Sequence, residues 1–407
     1  MLRHLQIVPA VLLAAAAVHA GEAEAPVQVR DFNIQPMGNL AYANGTLTVH
    51  PKAMLTVGSD SNIYATEKNV KDDQYVGGLV GVEARYAASE ALTAALDLQL
   101  RADHYFNEDD RDMVGGTGAL NVDWKGEVAT AGVALDYARF DDPLVQTGQK
   151  VLRENLDGVG YAGWQGPTCN GRLGLGGRSV QYLEDVGGFK ADQRSYTGAL
   201  ADLRVGMAGG EETETYGTVK YSSWAYEDNT QLNDGSQISA VVGWRTTLGG
   251  RTKLVLEGGV DMRSYDKESG TGADDKDVVL PVATALIAWP WSERSELSGR
   301  LYAQADNSLT SNAYQLTGAQ VGARWGATDQ TIIFASVDGM QIADTAAATG
   351  KDEEIRTTGI LSLGAEYTAV QGLAFRLTGR QTVSDAKVKT SSDYDRTEII
   401  LDTVFAF

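Results

Sequence analysis

Residues 91–105 read as one extended strand that is too long for an ordinary water-soluble sheet. Leu92, Ala94, Leu96, Leu98, Leu100 and Ala102 fall on one side of an extended chain, and Thr93, Asp97, Gln99, Arg101 and Asp103 fall on the other. Strands of soluble domains usually run to about 3–10 residues, whereas one that crosses a bilayer at a tilt and continues beyond it needs more. With the oily side in lipid and the charged side in water, the stretch predicts one stave of a transmembrane barrel.

Nothing else in the chain offers another way across a membrane. No run of about 18 or more apolar residues occurs, so spanning helices are excluded. In lipid every backbone N–H and C=O must be paired within the protein, and strands achieve that only in a closed barrel.

Turn signals divide the remaining sequence. Short connections are expected near residues 88–90, 125–126, 166–170, 209–210, 248–250, 292–293, 327–328 and 371–372. Longer acidic connections are expected near residues 67–73, 107–112, 141–155, 184–194, 227–234, 267–277, 307–312, 345–356 and 384–393. Together they predict an all-β fold, a transmembrane antiparallel up-and-down β-barrel of about 18 strands (roughly 16–20), with short turns in the periplasm and long loops outside.

Ahead of the barrel, residues 1–20 carry Arg3, an apolar core and small residues before Gly21, the pattern of a signal peptide. Residues 21–50 form a periplasmic or lumen-facing lead-in, and residues 51–407 the outer-membrane β-barrel. The implied location is the outer membrane of a Gram-negative bacterium.

Aromatic residues support this topology. Trp124, Trp164, Trp244, Trp289, Trp291 and Trp325 lie just before short turns, joined by Tyr86 and Tyr367, and predict a membrane girdle at the periplasmic boundary. Tyr64, Tyr105, Phe106, Tyr137, Tyr182, Tyr226 and Tyr265 near the opposite strand ends predict a second girdle. In the last strand Ile399, Leu401, Phe405 and Phe407 share a face, and the chain stops on an aromatic. That ending resembles the signal that outer-membrane barrels present to their insertion machinery.

Register fixes the lumen, because a one-residue slip would put charges into lipid at about 2–4 kcal/mol for a mid-bilayer Arg or Lys. The inward candidates are Asp60, Asn62, Glu83, Arg85, Asp97, Arg101, Asp123, Asp136, Arg172, Arg178, Asp202, Arg204, Lys220 and Arg245. They continue through Glu257, Asp261, Arg263, Arg300, Gln304, Asp306, Arg324, Asp338, Glu366, Arg376, Arg380 and Asp402. Such a wall suits a water-filled conduit for a polar solute, or a charge network that stiffens and hydrates the barrel. The stretch 278–291 breaks the pattern with Val278, Leu280, Val282 and Leu286 on its presumed lumen side, so either a plug covers it or its register is shifted. The loops are short enough that no constriction by a folded-in loop is expected.

Other chemistry is poorly provided for. A net charge of −20 disfavours nucleic acid as a partner, and a single cysteine, Cys169, permits no intrachain disulfide. His104 beside Asp103 is the one candidate for a catalytic base. No nucleophile elbow, phosphate loop or Cys/His metal cluster is seen, so no enzyme, cofactor or metal centre is expected. The acidic tips Glu108-Asp109-Asp110 and Asp274-Asp275 could bridge divalent cations to lipopolysaccharide, though solvated loop tips have the same composition.

The run Gly58-Ser59-Asp60-Ser61-Asn62-Ile63-Tyr64, followed by Asp72-Asp73, resembles the opening of the β-barrel porin 2 family, with Ser61 where that pattern has a second Asp. The resemblance implies an outer-membrane barrel associated with exopolysaccharide production and export, and assigns no catalytic residue. The expected function is therefore a passive polar conduit for an extracellular polysaccharide. The alternatives are a diffusion or uptake porin for small polar solutes, and a surface adhesion or structural barrel acting through its loops. Partners would be outer-membrane lipid, lipopolysaccharide and the insertion machinery.

Overall fold

The computed structural model describes residues 37, 40–42, 46–141, 150–185, 190–210, 212–230, 232–266, 277–308, 313–344, 355–387 and 393–407. The signal segment and most of the lead-in lie outside them.

A short strand β1 (Leu40–Tyr42) precedes β2 (Leu47–Asp60), β3 (Asp73–Ala87), β4 (Leu92–Tyr105), β5 (Met113–Lys125) and β6 (Ala129–Phe140). Then come β7 (Arg153–Gln165), β8 (Cys169–Tyr182), β9 (Tyr196–Ala208), β10 (Thr213–Tyr226), β11 (Gly235–Leu248) and β12 (Thr252–Tyr265). The chain ends with β13 (Val278–Ser292), β14 (Ser295–Asn307), β15 (Ala313–Gly326), β16 (Thr331–Asp344), β17 (Ile355–Val370), β18 (Leu373–Ala386) and β19 (Tyr394–Ala406). Each strand from β2 onward pairs antiparallel with its sequence neighbours, and β19 returns to β2. The 18 strands β2 to β19 thus close a barrel, as the alternation predicts.

All eight short turns fall where the sequence marks them, and their chemistry is local. Between β11 and β12, Gly249 and Gly250 have φ of +58° and +68°, the conformation that a tight turn closed by Arg251 N–H to Leu248 C=O demands. Between β3 and β4, Ser89 Oγ accepts the N–H of Leu92 at 3.0 Å, and between β15 and β16 Thr328 Oγ1 accepts that of Thr331 at 3.0 Å.

The first stave starts at Leu47, inside the expected lead-in. β19 covers β2 from Lys52 to Asp60, and β1 takes up the edge that β19 leaves by pairing Leu40–Tyr42 with Leu47–Val49. Below the last strand, Phe407 N–H donates to Pro51 C=O at 2.9 Å. No strand edge is left bare at the closure, which lipid would penalise.

The outer surface is a belt of exposed Leu, Val and Ile, including Leu98, Leu100, Val242, Leu361 and Leu377. Trp124, Trp164, Trp244, Trp289, Trp291, Trp325, Tyr86, Tyr367 and Phe407 all point outward at the short-turn end. The second girdle is a correction. Tyr105, Tyr182, Tyr226 and Tyr265 have the pleat of the inward set, and Tyr64 packs in a loop, leaving Phe106 and Tyr137 exposed on the outside.

Candidate functional site: the barrel lumen

Pleat and cross-strand register decide what the lumen contains. On β3 to β6 the inner face carries Glu83, Arg85, Asp97, Arg101, Asp123 and Asp136. Across β8 to β12 it carries Arg172, Arg178, Asp202, Arg204, Lys220, Arg245, Glu257, Asp261 and Arg263. On β14 to β19 it carries Arg300, Gln304, Asp306, Arg324, Asp338, Glu366, Arg376, Arg380 and Asp402. Asp60 lies inward at the outer end of β2, and Asn62 lies beyond that strand, where its amide donates to the carbonyls of Thr66 and Asp395.

Several of these groups are buried and paired instead of lining water, which corrects the picture of a uniformly wet wall. Arg376 Nη2 meets Glu366 at 2.7 Å, and Arg263 Nε meets Asp261 at 2.9 Å, all four side chains nearly inaccessible. Arg263 also donates to Asn307 at 2.7 Å, and Gln237 to Asp261. Asp338 is buried as well, with Tyr302 Oη donating to it at 3.4 Å. Such pairs persist because each charge has a counter-charge and fixed donors in place of water.

Paired side chains cluster at the outer mouth. Arg396 Nε donates to both oxygens of Asp60 at 3.0 Å, and Arg396 Nη2 reaches Glu398 at 3.0 Å, with Arg380 3.4 Å from that carboxylate. Lys150, at the end of the connection between β6 and β7, places its Nζ 2.6 Å from Tyr105 Oη. Burial, and then nearby Arg396, holds the Lys150 ammonium below the usual lysine value. Tyr75 stacks beside Tyr105 at 5.2 Å between ring centroids. On the facing side Trp224, Tyr265, Tyr196 and Tyr226 form one cluster with Val278 and Leu280. Val278 and Leu280 thus keep the inward register and are covered by aromatic rings from β9, β10 and β12, while Val282 and Leu286 on the same face of β13 border the lumen cavity.

Inside this mouth lies a cavity of about 1020 Å³, bordered by residues of β6 to β18. Its cations fall into two kinds. Arg204 and Arg245 share Glu214 at 2.9 and 2.5 Å, leaving one positive charge in excess, while Arg376 is neutralised by Glu366. Arg172, Arg300 and Arg324 have no carboxylate within ion-pairing distance among the described residues, and Arg172 and Arg300 lie against the rings of Tyr161 and Tyr302 at 4.4 and 4.9 Å. Asp202, Glu257 and Glu296 border the same cavity, Glu296 directly across from Arg324, and the lining as a whole has seven basic residues to five acidic ones.

The sequence reading missed Arg396, Glu398, Glu214 and Lys150. The first three share the parity of residues assigned inward on their own strands, so alternation carries the signal; Lys150 lies in a loop, where alternation is silent. His104 and Asp103 point to opposite sides of the wall: Asp103 pairs inward with Arg101 at 2.6 Å, and His104 Nδ1 lies outside, 2.7 Å from Asp112. The catalytic dyad considered from sequence therefore does not form. Among the described residues no group of three or more His, Cys, Asp or Glu is placed to hold a metal ion. Glu108 and Asp110 accept hydrogen bonds from Tyr64 Oη, and Asp274-Asp275 lies outside the described residues.

A closed 18-strand antiparallel barrel with a lipid belt outside and charges within is the architecture of a Gram-negative outer-membrane β-barrel. No model of a known protein family matches the chain, and no curated protein matches its sequence. Solved structures do. The outer membrane protein OpdK of Pseudomonas aeruginosa superposes with a TM-score of 0.51 at 11% identity, covering 88% of this chain and 99% of that one. OccAB4 of Acinetobacter baumannii gives 0.50 at 10% identity, over 88% and 98% of the two chains. The copper transporter OprC gives 0.50 at 12% identity, over 91% and 81%. At these identities the likeness is one of fold.

Proposed function

We propose that the protein is a non-enzymatic outer-membrane channel through which small polar solutes enter, with a preference for organic anions. The observation that carries this reading is the set Arg172, Arg300 and Arg324, three guanidinium groups that make no ion pair with a described carboxylate around one cavity of about 1020 Å³. That volume is at the upper end of pockets for small molecules, roughly 300–1,000 Å³. An excess of fixed positive charge in a low-dielectric wall raises the local concentration of anions. The transporter named among the structural neighbours supports a role in moving small solutes.

Exopolysaccharide export, and membership of the β-barrel porin 2 family with it, rests on the likeness of residues 58–73. The paired side chains clustered at the outer mouth favour a small solute over a polymer. Liposome swelling tests the proposal: faster entry of small carboxylates than of neutral sugars of equal size is expected, and Arg172→Gln/Arg300→Gln/Arg324→Gln should remove the difference. No swelling with either solute, alongside loss of secreted polysaccharide in a deletion strain, would favour export instead.

A further inference from the structure

The wall of the barrel loses its ladder over the outer ends of β13 and β14. Pairing between β13 and β14 stops at Ala283 and Ala303. Beyond it Val278–Val282 are paired with β12 alone, and Gln304–Asn307 with β15 alone, although both strands continue. The flanking seams, β12 to β13 and β14 to β15, are paired to the strand ends. Pro281 sits in the middle of the open stretch, where it has no N–H to offer β14. Its carbonyl is satisfied by Gln315 Nε2 at 3.0 Å, a side chain of β15 that reaches past β14. A seam strapped by side chains alone, this amide and the 2.7 Å bond from Arg263 to Asn307, is a weak point in a wall that lipid otherwise requires to be sealed.

The surroundings say what such an opening would pass. The cavity is bordered by Val282 and Gln304 and also by Ala283, Ala303 and Ala305, whose pleat points outward, so it reaches the seam itself. Val282 and Leu286 on the inner face of β13 continue an aliphatic strip away from it, next to Val241 and Val255. Arg300 is the cross-strand neighbour of Leu286 and makes no ion pair with a described carboxylate. A cation at the inner end of an aliphatic strip that leads to lipid matches an anionic head on a single hydrocarbon chain.

We propose that the β13–β14 seam is a lateral portal through which a single-chain anionic amphiphile passes between the lumen and the outer leaflet. The proposal rests on the channel reading and extends its solutes to alkyl anions. Pro281 keeps the seam unpaired, Gln315 and the Arg263–Asn307 bond hold it shut at rest, and Arg300 receives the head group.

The experiment uses the full barrel with Cys169→Ser, in phosphatidylcholine vesicles containing a phospholipid with a maleimide on its acyl chain, a reagent confined to the bilayer. Val282→Cys, inward-facing but beside the seam, should react at least about tenfold faster than Ser239→Cys, inward-facing on the sealed β11. Adding Pro281→Val, which restores an N–H, should slow the reaction. Dodecyl sulfonate should protect Val282→Cys, and Arg300→Gln should abolish that protection. Equal rates for the two cysteines, or no protection dependent on Arg300, would overturn the portal. Ion conductance of the same vesicles reports the pore separately, so a sealed seam with normal conductance removes the portal and leaves the channel standing.

Discussion

Arg396 on the last strand and Asp60 on the first are bound through both carboxylate oxygens, and both are buried, at 6% and 0% exposure. Lying 336 residues apart, they clasp the closure of the barrel at its outer end. Glu398 completes the cluster, so Arg396 stands between two carboxylates.

Removing one member of a buried pair leaves the other charge desolvated and uncompensated. Arg396→Ala, which leaves the buried Asp60 carboxylate without its guanidinium, should cost about 3–5 kcal/mol in reversible unfolding from lipid or detergent. A loss below about 1 kcal/mol would mean that the clasp is as wet and weak as a surface ion pair.

Lys150 is expected to hold Tyr105 in place at the outer mouth. Lys150→Ala should raise single-channel conductance by releasing Tyr105, and Tyr105→Phe should have a smaller effect in the same direction. The pH dependence has a definite sign. The buried amine binds its proton less tightly than the usual value of 10.5, so the seated side chain carries fewer protons than a released one. Seating therefore strengthens as pH rises between the lowered value and 10.5, and conductance should fall across that window in wild type but not in Lys150→Ala.

Tyr75 lies flat over Gly58, and Tyr216 over Gly243, each ring occupying the space where a side chain would begin. Gly58→Ala should displace Tyr75 from Tyr105 at a cost of about 1–3 kcal/mol. Tyrosine fluorescence and thermal unfolding would check it. Gly217→Ala, where a Cβ meets nothing within 4 Å, is the matched control and should be nearly neutral.

Leu98 and Gln99 are adjacent on β4, one exposed to lipid and one inward. Leu98→Arg should destabilise folding into bilayers by about 2–4 kcal/mol, whereas Gln99→Arg should be nearly neutral. Equal penalties would break the assignment of faces.

The same pair shows why so much was legible in the sequence. Period-two alternation is a direct consequence of the pleat, so Leu98 and Gln99 declare their sides without any knowledge of neighbours, and Gly249-Gly250 or Ser89 declare a turn from backbone chemistry alone. The upper tyrosines were misread because position along a strand was weighed above parity. Tyr265 is two residues from Arg263, and Tyr105 two from Asp103, so both were marked as inward by the rule that placed the charges. Arg396 was overlooked although it shares parity with Asp402. What alternation cannot carry is pairing in three dimensions: which arginines are neutralised, that Lys150 meets Tyr105, and that β13 and β14 part beyond Ala283. Those depend on contacts between residues distant in sequence.

Reversal potential across a planar bilayer under a potassium chloride gradient tests the central claim, an inner lumen with an excess of fixed positive charge in a chain whose net charge is −20. The account predicts anion selectivity that falls when Arg172, Arg300 and Arg324 are changed together to glutamine. Cation selectivity in the unaltered protein, or selectivity indifferent to those three changes, would contradict it.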